Sequence, residues 1–261
     1  MLFIDQIGEK MNKNPIMLFL KLSRPVLLLG GIGQTFLGAG IAHYLGRSID
    51  WSVFFLGLFW VILVQLAAHY LNEYFDYPVD RENENRTAFS GGSGVLGEGE
   101  GKLNRRVALS AFVVAVTLAA ALILTMIWSG MLTPAGALIM ALILAGALAY
   151  SIPPVQLSRS GYGELAAAII GGYLVPILAY NLQTGGAHRL VALSSLPITL
   201  LMVVFLLGVS FPDYATDLKY GKRTFLLRAG WQNAMTVHNT CLLYTSPSPR
   251  DRTRSRMPSS A

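Results

Sequence analysis

The chain is poor in charge and almost without cysteine. Only 13% of its 261 residues are Asp, Glu, Lys or Arg, against roughly a quarter in soluble domains. Its one cysteine, Cys241, excludes an internal disulfide framework and thiolate metal sites. A Gly-rich stretch is present, but no Gly-Lys-Ser/Thr follows it, which excludes a nucleotide-binding P-loop. Residues 1–24 are mixed and polar and lack an apolar core with a small-residue cleavage site, so no cleaved leader is expected there. Within them, Met17-Leu18-Phe19-Leu20 reads as a stretch lying at a membrane interface.

What the chain has instead is apolar sequence, 53% of all residues. A membrane span takes roughly 20 apolar residues, and six windows fit: about 25–45, 51–71, 107–128, 133–150, 165–181 and 190–211. The expected fold is all-α, a polytopic transmembrane helical bundle. The formal charge of +6 is misleading, because residues 241–261 hold four arginines and one aspartate and break abruptly in composition from everything before. Without them the chain carries sixteen basic and thirteen acidic residues. This tail resembles translated adapter sequence, so 1–240 is read as the membrane domain, cut short at its C-terminus, and 241–261 as a non-native or disordered tail.

The basic residues that remain fall on alternating sides of the six spans. Lys10, Lys13, Lys21 and Arg24 precede the first. Arg81, Arg86, Lys102, Arg105 and Arg106 lie in the second loop, Arg159 in the fourth, and Lys219, Lys222, Arg223 and Arg228 after the sixth. Only Arg47 and Arg189 fall on the other side. By the positive-inside rule the fourteen face the cytoplasm.

Two carboxylate clusters stand at the ends of apolar runs on that side, where charge is costly and marks function. Along the second span Gln65, His69, Asn72, Asp76 and Asp80 recur at helical spacing and form one polar stripe. Such a stripe lines a cavity. For Gln65 and His69, helix–helix hydrogen bonding is the favoured role; for the Asn and the two Asp, a solvated helix end is the plainer alternative. Pro78 is expected to kink or end the helix and to turn Asp80 toward the loop. The second cluster pairs Asp213 with Asp217, after a Pro212 suited to a first helical turn, and continues into Gly221, Lys222, Arg223 and Thr224. Carboxylates beside cations suit Mg²⁺ with a phosphorylated substrate, since Mg²⁺ binds through a few carboxylates plus substrate phosphates and Lys and Arg contact the phosphate oxygens. A surface salt-bridge network is the plainer alternative here. Between the clusters, the Gly-rich residues 90–101 read as a mobile loop and a lid. Gly31, Thr35 and Ala39 form a small-residue face for close helix packing.

These motifs resemble those of the UbiA-type superfamily of membrane prenyltransferases. Asn72-x-x-x-Asp76-x-x-x-Asp80 matches the first family motif, and Asp213-x-x-x-Asp217 with Gly221-Lys222-Arg223-Thr224 the second. A looser match runs from Tyr150 to Leu157 with Gly161, Gly163, Glu164 and Leu165 after it, and Arg24-Pro25 fits the opening of the first span. The resemblance covers about 21–230. It implies nine helices around a central cavity, of which six and the start of a seventh, after Arg228, precede the compositional break. It also implies Mg²⁺-dependent transfer of a polyprenyl group from its diphosphate to an aromatic acceptor. Asp76, Asp80, Asp213 and Asp217 would hold Mg²⁺, and Asn72 would position a ligand or phosphate oxygen. Arg24, Arg86, Lys222 and Arg223 would bind the diphosphate, and Tyr150 would stabilise the allylic cation through its ring face; Tyr74 and Tyr173 read as packing. The form of the second motif and the Tyr150-Ser151-x-Pro153-Pro154 stretch look closer to the menaquinone branch, whose acceptor is 1,4-dihydroxy-2-naphthoate; other acceptors in the superfamily are 4-hydroxybenzoate, homogentisate, haem and glycerol-phosphate lipids. The implied partners are a polyprenyl diphosphate, an aromatic acceptor and the lipid bilayer of a bacterial or archaeal cell, with no nucleic acid. The competing readings are an ion or proton transporter, which predicts carboxylates near mid-membrane in broken, repeated helices, and a truncated remnant without activity.

Overall fold

The structure is a computed structural model that describes residues 14–87 and 89–245. Lys10, Lys13 and most of the expected tail lie outside the described residues. Within them the regular elements are helices. A short α1 (Pro15–Ser23) leads into α2 (Pro25–Tyr44) and α3 (Trp51–Asp80). Then come α4 (Arg105–Trp128), α5 (Pro134–Ser151), α6 (Gly163–Thr184) and α7 (Arg189–Ser210). Three short helices close the order: α8 (Tyr214–Lys219), α9 (Phe225–Ala229) and α10 (Trp231–Thr245). Helices α2 to α7 are the six long and apolar enough to cross a membrane, in the windows expected from the sequence. α10 is the seventh helix expected after Arg228, 15 residues long, and it continues past residue 240 to Thr245.

Local chemistry sets the helix starts. Asn14, Asp50, Asn104 and Thr133 each accept a hydrogen bond from a backbone N–H of the first turn of α1, α3, α4 and α5. Pro25 opens α2, where its missing N–H is no loss. Pro78 does not end α3: the helix runs on through it to Asp80. So near the C-terminal end one lost hydrogen bond is tolerated. In α6 a wider π-helical turn spans Ile169–Leu174 just before Pro176. Pro176 has no N–H for the carbonyl four residues back, and the wider turn accommodates that loss.

The bundle packs around α3. Trp60, Val64 and Ala67 of α3 meet Ala115, Ala119 and Met126 of α4, Met140 and Ile143 of α5, and Val175 and Leu178 of α6. Close approach depends on small residues. On α4 the buried positions include Ala108, Ala115 and Ala119. Gly31, Thr35 and Ala39 of α2 are buried as expected, and Gly38 faces the backbone of α6, where a Cβ would strike the Pro176 carbonyl and Ala179. Leu18 and Leu22 of α1 are buried against Tyr70, Val95, Leu96 and Ala108, which ties α1 to α3, α4 and the loop between them. Large apolar side chains such as Leu29, Phe55 and Trp128 stay exposed on the outer faces. That is the reverse of a water-soluble bundle and suits lipid contact.

The Gly38 contact is directly testable. Gly38→Leu is expected to destabilise the detergent-solubilised protein by roughly 1–3 kcal/mol through overpacking. Gly40→Ala, where the added Cβ meets nothing, should leave thermal unfolding essentially unchanged. Equal melting temperatures for the two variants would rule out the close α2–α6 approach.

Candidate active site

α3 carries its polar stripe on one continuous helix of 30 residues. Gln65, His69, Asn72, Asp76 and Asp80 therefore all reach the same cavity, of about 670 Å³. Gln65 and His69 do make the helix–helix bonds expected of them. Gln65 Nε2 donates to the Leu27 carbonyl at 2.8 Å, and His69 Nδ1 lies 3.4 Å from the Ser23 carbonyl.

The second cluster is built differently from its sequence expectation. Pro212 lies in the turn after α7, and Asp213 stands just ahead of the six-residue α8 with helical backbone angles, its carbonyl accepting from the Asp217 N–H at 2.8 Å and its side chain making no capping bond. α8 ends in a Schellman turn: Lys222 N–H donates to the Asp217 carbonyl and Gly221 N–H to that of Leu218, with Gly221 at φ +64°. Glycine adopts this left-handed conformation without a Cβ penalty. The turn folds Lys222 back over the helix it follows.

That fold-back joins the two clusters. Lys222 Nζ lies 3.0 Å from Asp76 Oδ2 and 3.6 Å from Asp217 Oδ1. Asp76 also accepts a bond from Arg159 Nη2 at 3.2 Å. Burial acts against the Lys222 ammonium, but Asp76 and Asp217 outweigh it and hold its pKa above the usual lysine value. Asp217 thus shares its one cation with Asp76, at the longer of the two distances. Burial accordingly pushes Asp217 up to about 6, against the pull of Lys222. Burial also raises Asp213, although Asn83 and the Gly91 N–H, at 2.7 Å and 3.2 Å, both donate to its carboxylate.

The Gly-rich segment lies over the acids. Ser90, Gly91 and Gly92 line the cavity beside Asp80 and Asp213. Gly92, at φ +72°, sits where a Cβ would collide with the Asp80 carboxylate. Ser93 donates through its N–H and its hydroxyl to the buried Glu73, which also pairs with Arg24. The segment expected as a lid is thus bonded to both clusters.

Of the residues singled out from sequence, Arg24, Asn72, Asp76, Asp80, Tyr150, Asp213, Asp217 and Lys222 share the cavity lining. Two are not brought there. Arg86 donates to the Asp80 and Gly91 carbonyls, both at 2.6 Å, and so staples the loop to the end of α3. The Arg223 side chain is exposed. Sequence reasoning missed Glu73, Asn83 and Arg159 as partners of the site. Glu73 adjoins the first motif, but nothing in its spacing announces the pairing with Arg24. Arg159 registered only as a loop charge. Glu164 lines the cavity and accepts from the Phe225 N–H at 3.3 Å.

The donor set suits a hard cation: four carboxylates and an asparagine, all oxygen ligands, around one cavity. Among the described residues no three acidic, His or Cys side chains converge into a self-sufficient metal cage. Mg²⁺ completes its shell with water and substrate phosphates and so asks for only a few protein carboxylates.

Comparison with known proteins agrees with this architecture. The UbiA prenyltransferase family model matches residues 33–248. A 1,4-dihydroxy-2-naphthoate octaprenyltransferase of Bacillus subtilis (strain 168) is 25% identical over 217 residues, which cover 83% of this chain and 67% of that protein. Two solved structures of a UbiA homolog from Archaeoglobus fulgidus share the fold. The one bound to DMAPP and Mg²⁺ has a TM-score of 0.58, the one bound to GPP and Mg²⁺ 0.61. Both are 17% identical, over 91% of this chain and 81% and 82% of theirs.

The Glu73 node yields a stability test. Glu73→Ala strands the largely buried Arg24 guanidinium and is expected to cost roughly 3 kcal/mol. Ser93→Ala removes one neutral donor and is expected to cost about 1 kcal/mol. Urea unfolding in detergent compares the two; a Glu73→Ala variant as stable as Ser93→Ala would contradict the pairing.

Proposed function

Because the chain belongs to the UbiA prenyltransferase family, we propose that it catalyses Mg²⁺-dependent transfer of a polyprenyl group from polyprenyl diphosphate to an aromatic acceptor. The observation that carries this reading is the convergence of Asp76, Asp80, Asp213 and Asp217 on one cavity, with Lys222 between the clusters. The proposed acceptor is 1,4-dihydroxy-2-naphthoate, on the strength of the Bacillus subtilis relative. The Archaeoglobus fulgidus structures, bound to prenyl diphosphates with Mg²⁺, support the donor and the cation. A transporter is disfavoured, because the carboxylates stand at one end of α3 and just beyond α7, among basic side chains.

In this reading the four aspartates, with Asn72 beside them, would hold Mg²⁺, which when bound neutralises the diphosphate as a Lewis acid. Lys222 and Arg24 offer ammonium and guanidinium groups to the leaving diphosphate as the C–O bond breaks and its electron pair moves to oxygen. Arg159 acts through Asp76, holding that carboxylate in place. The Tyr150 ring borders the cavity where the allylic cation forms. The apolar walls keep water from the cation, so the electron-rich ring carbon captures it instead and then sheds its own proton, or its carboxyl group as CO₂, to restore the aromatic ring. We assign residues 1–240 to one membrane domain. The loop charges support a site that opens to the cytoplasm, in an integral membrane protein.

Membranes containing the chain, supplied with Mg²⁺, labelled geranyl diphosphate and 1,4-dihydroxy-2-naphthoate, are expected to transfer the label to a prenylated derivative of the naphthalenediol ring. EDTA should abolish product formation, and excess Mg²⁺ restore it. Asp76→Ala and Asp213→Ala should each lower turnover by about 10²-fold or more, the scale seen when a group stabilising transition-state charge is removed. Product formation that survives EDTA and both substitutions would refute the assignment.

A further inference from the structure

One loop touches both halves of the ion pair that joins the clusters. The link between α5 and α6, residues 152–162, carries Arg159, whose guanidinium bonds to Asp76 at 3.2 Å. It runs directly into Glu164, in the first turn of α6. Both Glu164 oxygens accept from the Phe225 N–H, at 3.3 Å and 3.4 Å. Phe225 opens α9, immediately after the Gly221–Thr224 arm that bears Lys222. The Thr224 side chain stands at the N-cap and makes no capping bond, so the first N–H of α9 is met from another helix.

The loop also lies flush against the backbone of that arm. Gly161 has φ +83°, and a Cβ there would collide with the Arg228 side chain and lie 3.0 Å from the Arg223 carbonyl oxygen. Arg228 Nη1 donates to the Ser160 carbonyl at 2.7 Å, and its guanidinium lies 5.2 Å from the centre of the Tyr162 ring. The arm is therefore pinned at both ends. Gly221 and Lys222 bond through their N–H groups to the Leu218 and Asp217 carbonyls, Phe225 bonds to Glu164, and only Arg223 and Thr224 lie between. Released at the Phe225 end, the backbone would gain conformations in which the Lys222 ammonium leaves its two aspartates.

Resting on the prenyltransferase reading above, we propose that Glu164 is a positioning residue for Lys222. It acts through the Phe225 N–H and not on the diphosphate, and it keeps the ammonium over Asp76 and Asp217. Arg159 fixes Asp76 from the same loop. The α5–α6 link thus sets both sides of the contact between the clusters.

The test uses the full chain in detergent and two readouts. Hydrogen exchange of the backbone over 221–229 needs no substrate. Glu164→Ala should speed it by about 5- to 10-fold, the value of a hydrogen bond, and leave α4 unchanged. Mg²⁺-dependent binding of geranyl diphosphate should weaken by a similar factor. Glu164→Gln keeps an oxygen for the N–H and should recover most of both losses. In a Lys222→Met background Glu164→Ala should add little to the binding loss, because the group it positions is gone. Gly161→Ala displaces the loop without removing a carboxylate and should reproduce the binding loss, so it carries the test if Glu164→Ala does not fold. Exchange that ignores Glu164→Ala, or a full further loss in the Lys222→Met background, overturns the proposal. So does a Glu164→Gln variant as weak as Glu164→Ala, which would leave the carboxylate acting on the substrate itself. Faster exchange in Glu164→Ala, in a protein whose wild type binds no geranyl diphosphate, would keep the positioning and sink the function. Binding by the wild type that Glu164→Ala leaves untouched would do the reverse.

Discussion

The architecture turns on one ammonium group. Lys222 stands between Asp76 at the end of α3 and Asp217 in α8, and without it two buried carboxylates would face each other across a medium of low polarity. Its reach is set by backbone geometry: the Schellman turn at Gly221 aims the residue that follows back at Asp217. The short Asp-x-x-x-Asp to Gly-Lys sequence thereby becomes a clamp. Around it the partners of the remaining acids fall into place. Arg159 bonds to Asp76, Asn83 and the Gly91 N–H to Asp213, and Glu73 gathers Arg24 and Ser93. The site is polar and densely hydrogen-bonded, at one end of a bundle that is otherwise hydrocarbon.

Electrostatic preorganisation of this kind is what diphosphate ionisation requires. The chemistry needs little covalent assistance, but it needs fixed positive charge where the leaving group forms and a dry space where the carbocation forms. The molecule separates the two by height along α3: charge at Asp76 and Asp80, apolar surface at Val61 and Val64. Burial holds Asp213 and Asp217 above the usual carboxylate range, so their charge is under-compensated and a cation meets acids that favour it.

Much of this was legible in the sequence, and the exceptions have physical reasons. The six spans follow from hydrophobic length alone, and the α3 stripe from a 3.6-residue period over a continuous helix. The helix was not ended at Pro78, because a proline near a helix end removes a bond that the end leaves weak in any case. The four-residue spacing of Asp213 and Asp217 was legible: the Asp217 N–H bonds to the Asp213 carbonyl as in a helix, although α8 itself begins at Tyr214. Glu73, Asn83 and Arg159 escaped because their partners lie 49, 130 and 83 residues away, and no local period encodes such contacts. Arg86 shows the converse: a basic residue near the motif reads as a phosphate ligand, while its guanidinium holds backbone carbonyls. The role of Gln65 as a bond between helices was legible.

The central claim is that the two aspartate clusters act as one site. A double-mutant cycle on the Mg²⁺-dependent binding of geranyl diphosphate tests it most directly, with Asp76→Ala and Asp217→Ala made singly and together. If both acids serve the same bound diphosphate, each single change weakens binding severely and the double change weakens it little further, a coupling of about 1 kcal/mol or more. Strictly additive losses, or binding that ignores either aspartate, would contradict the account.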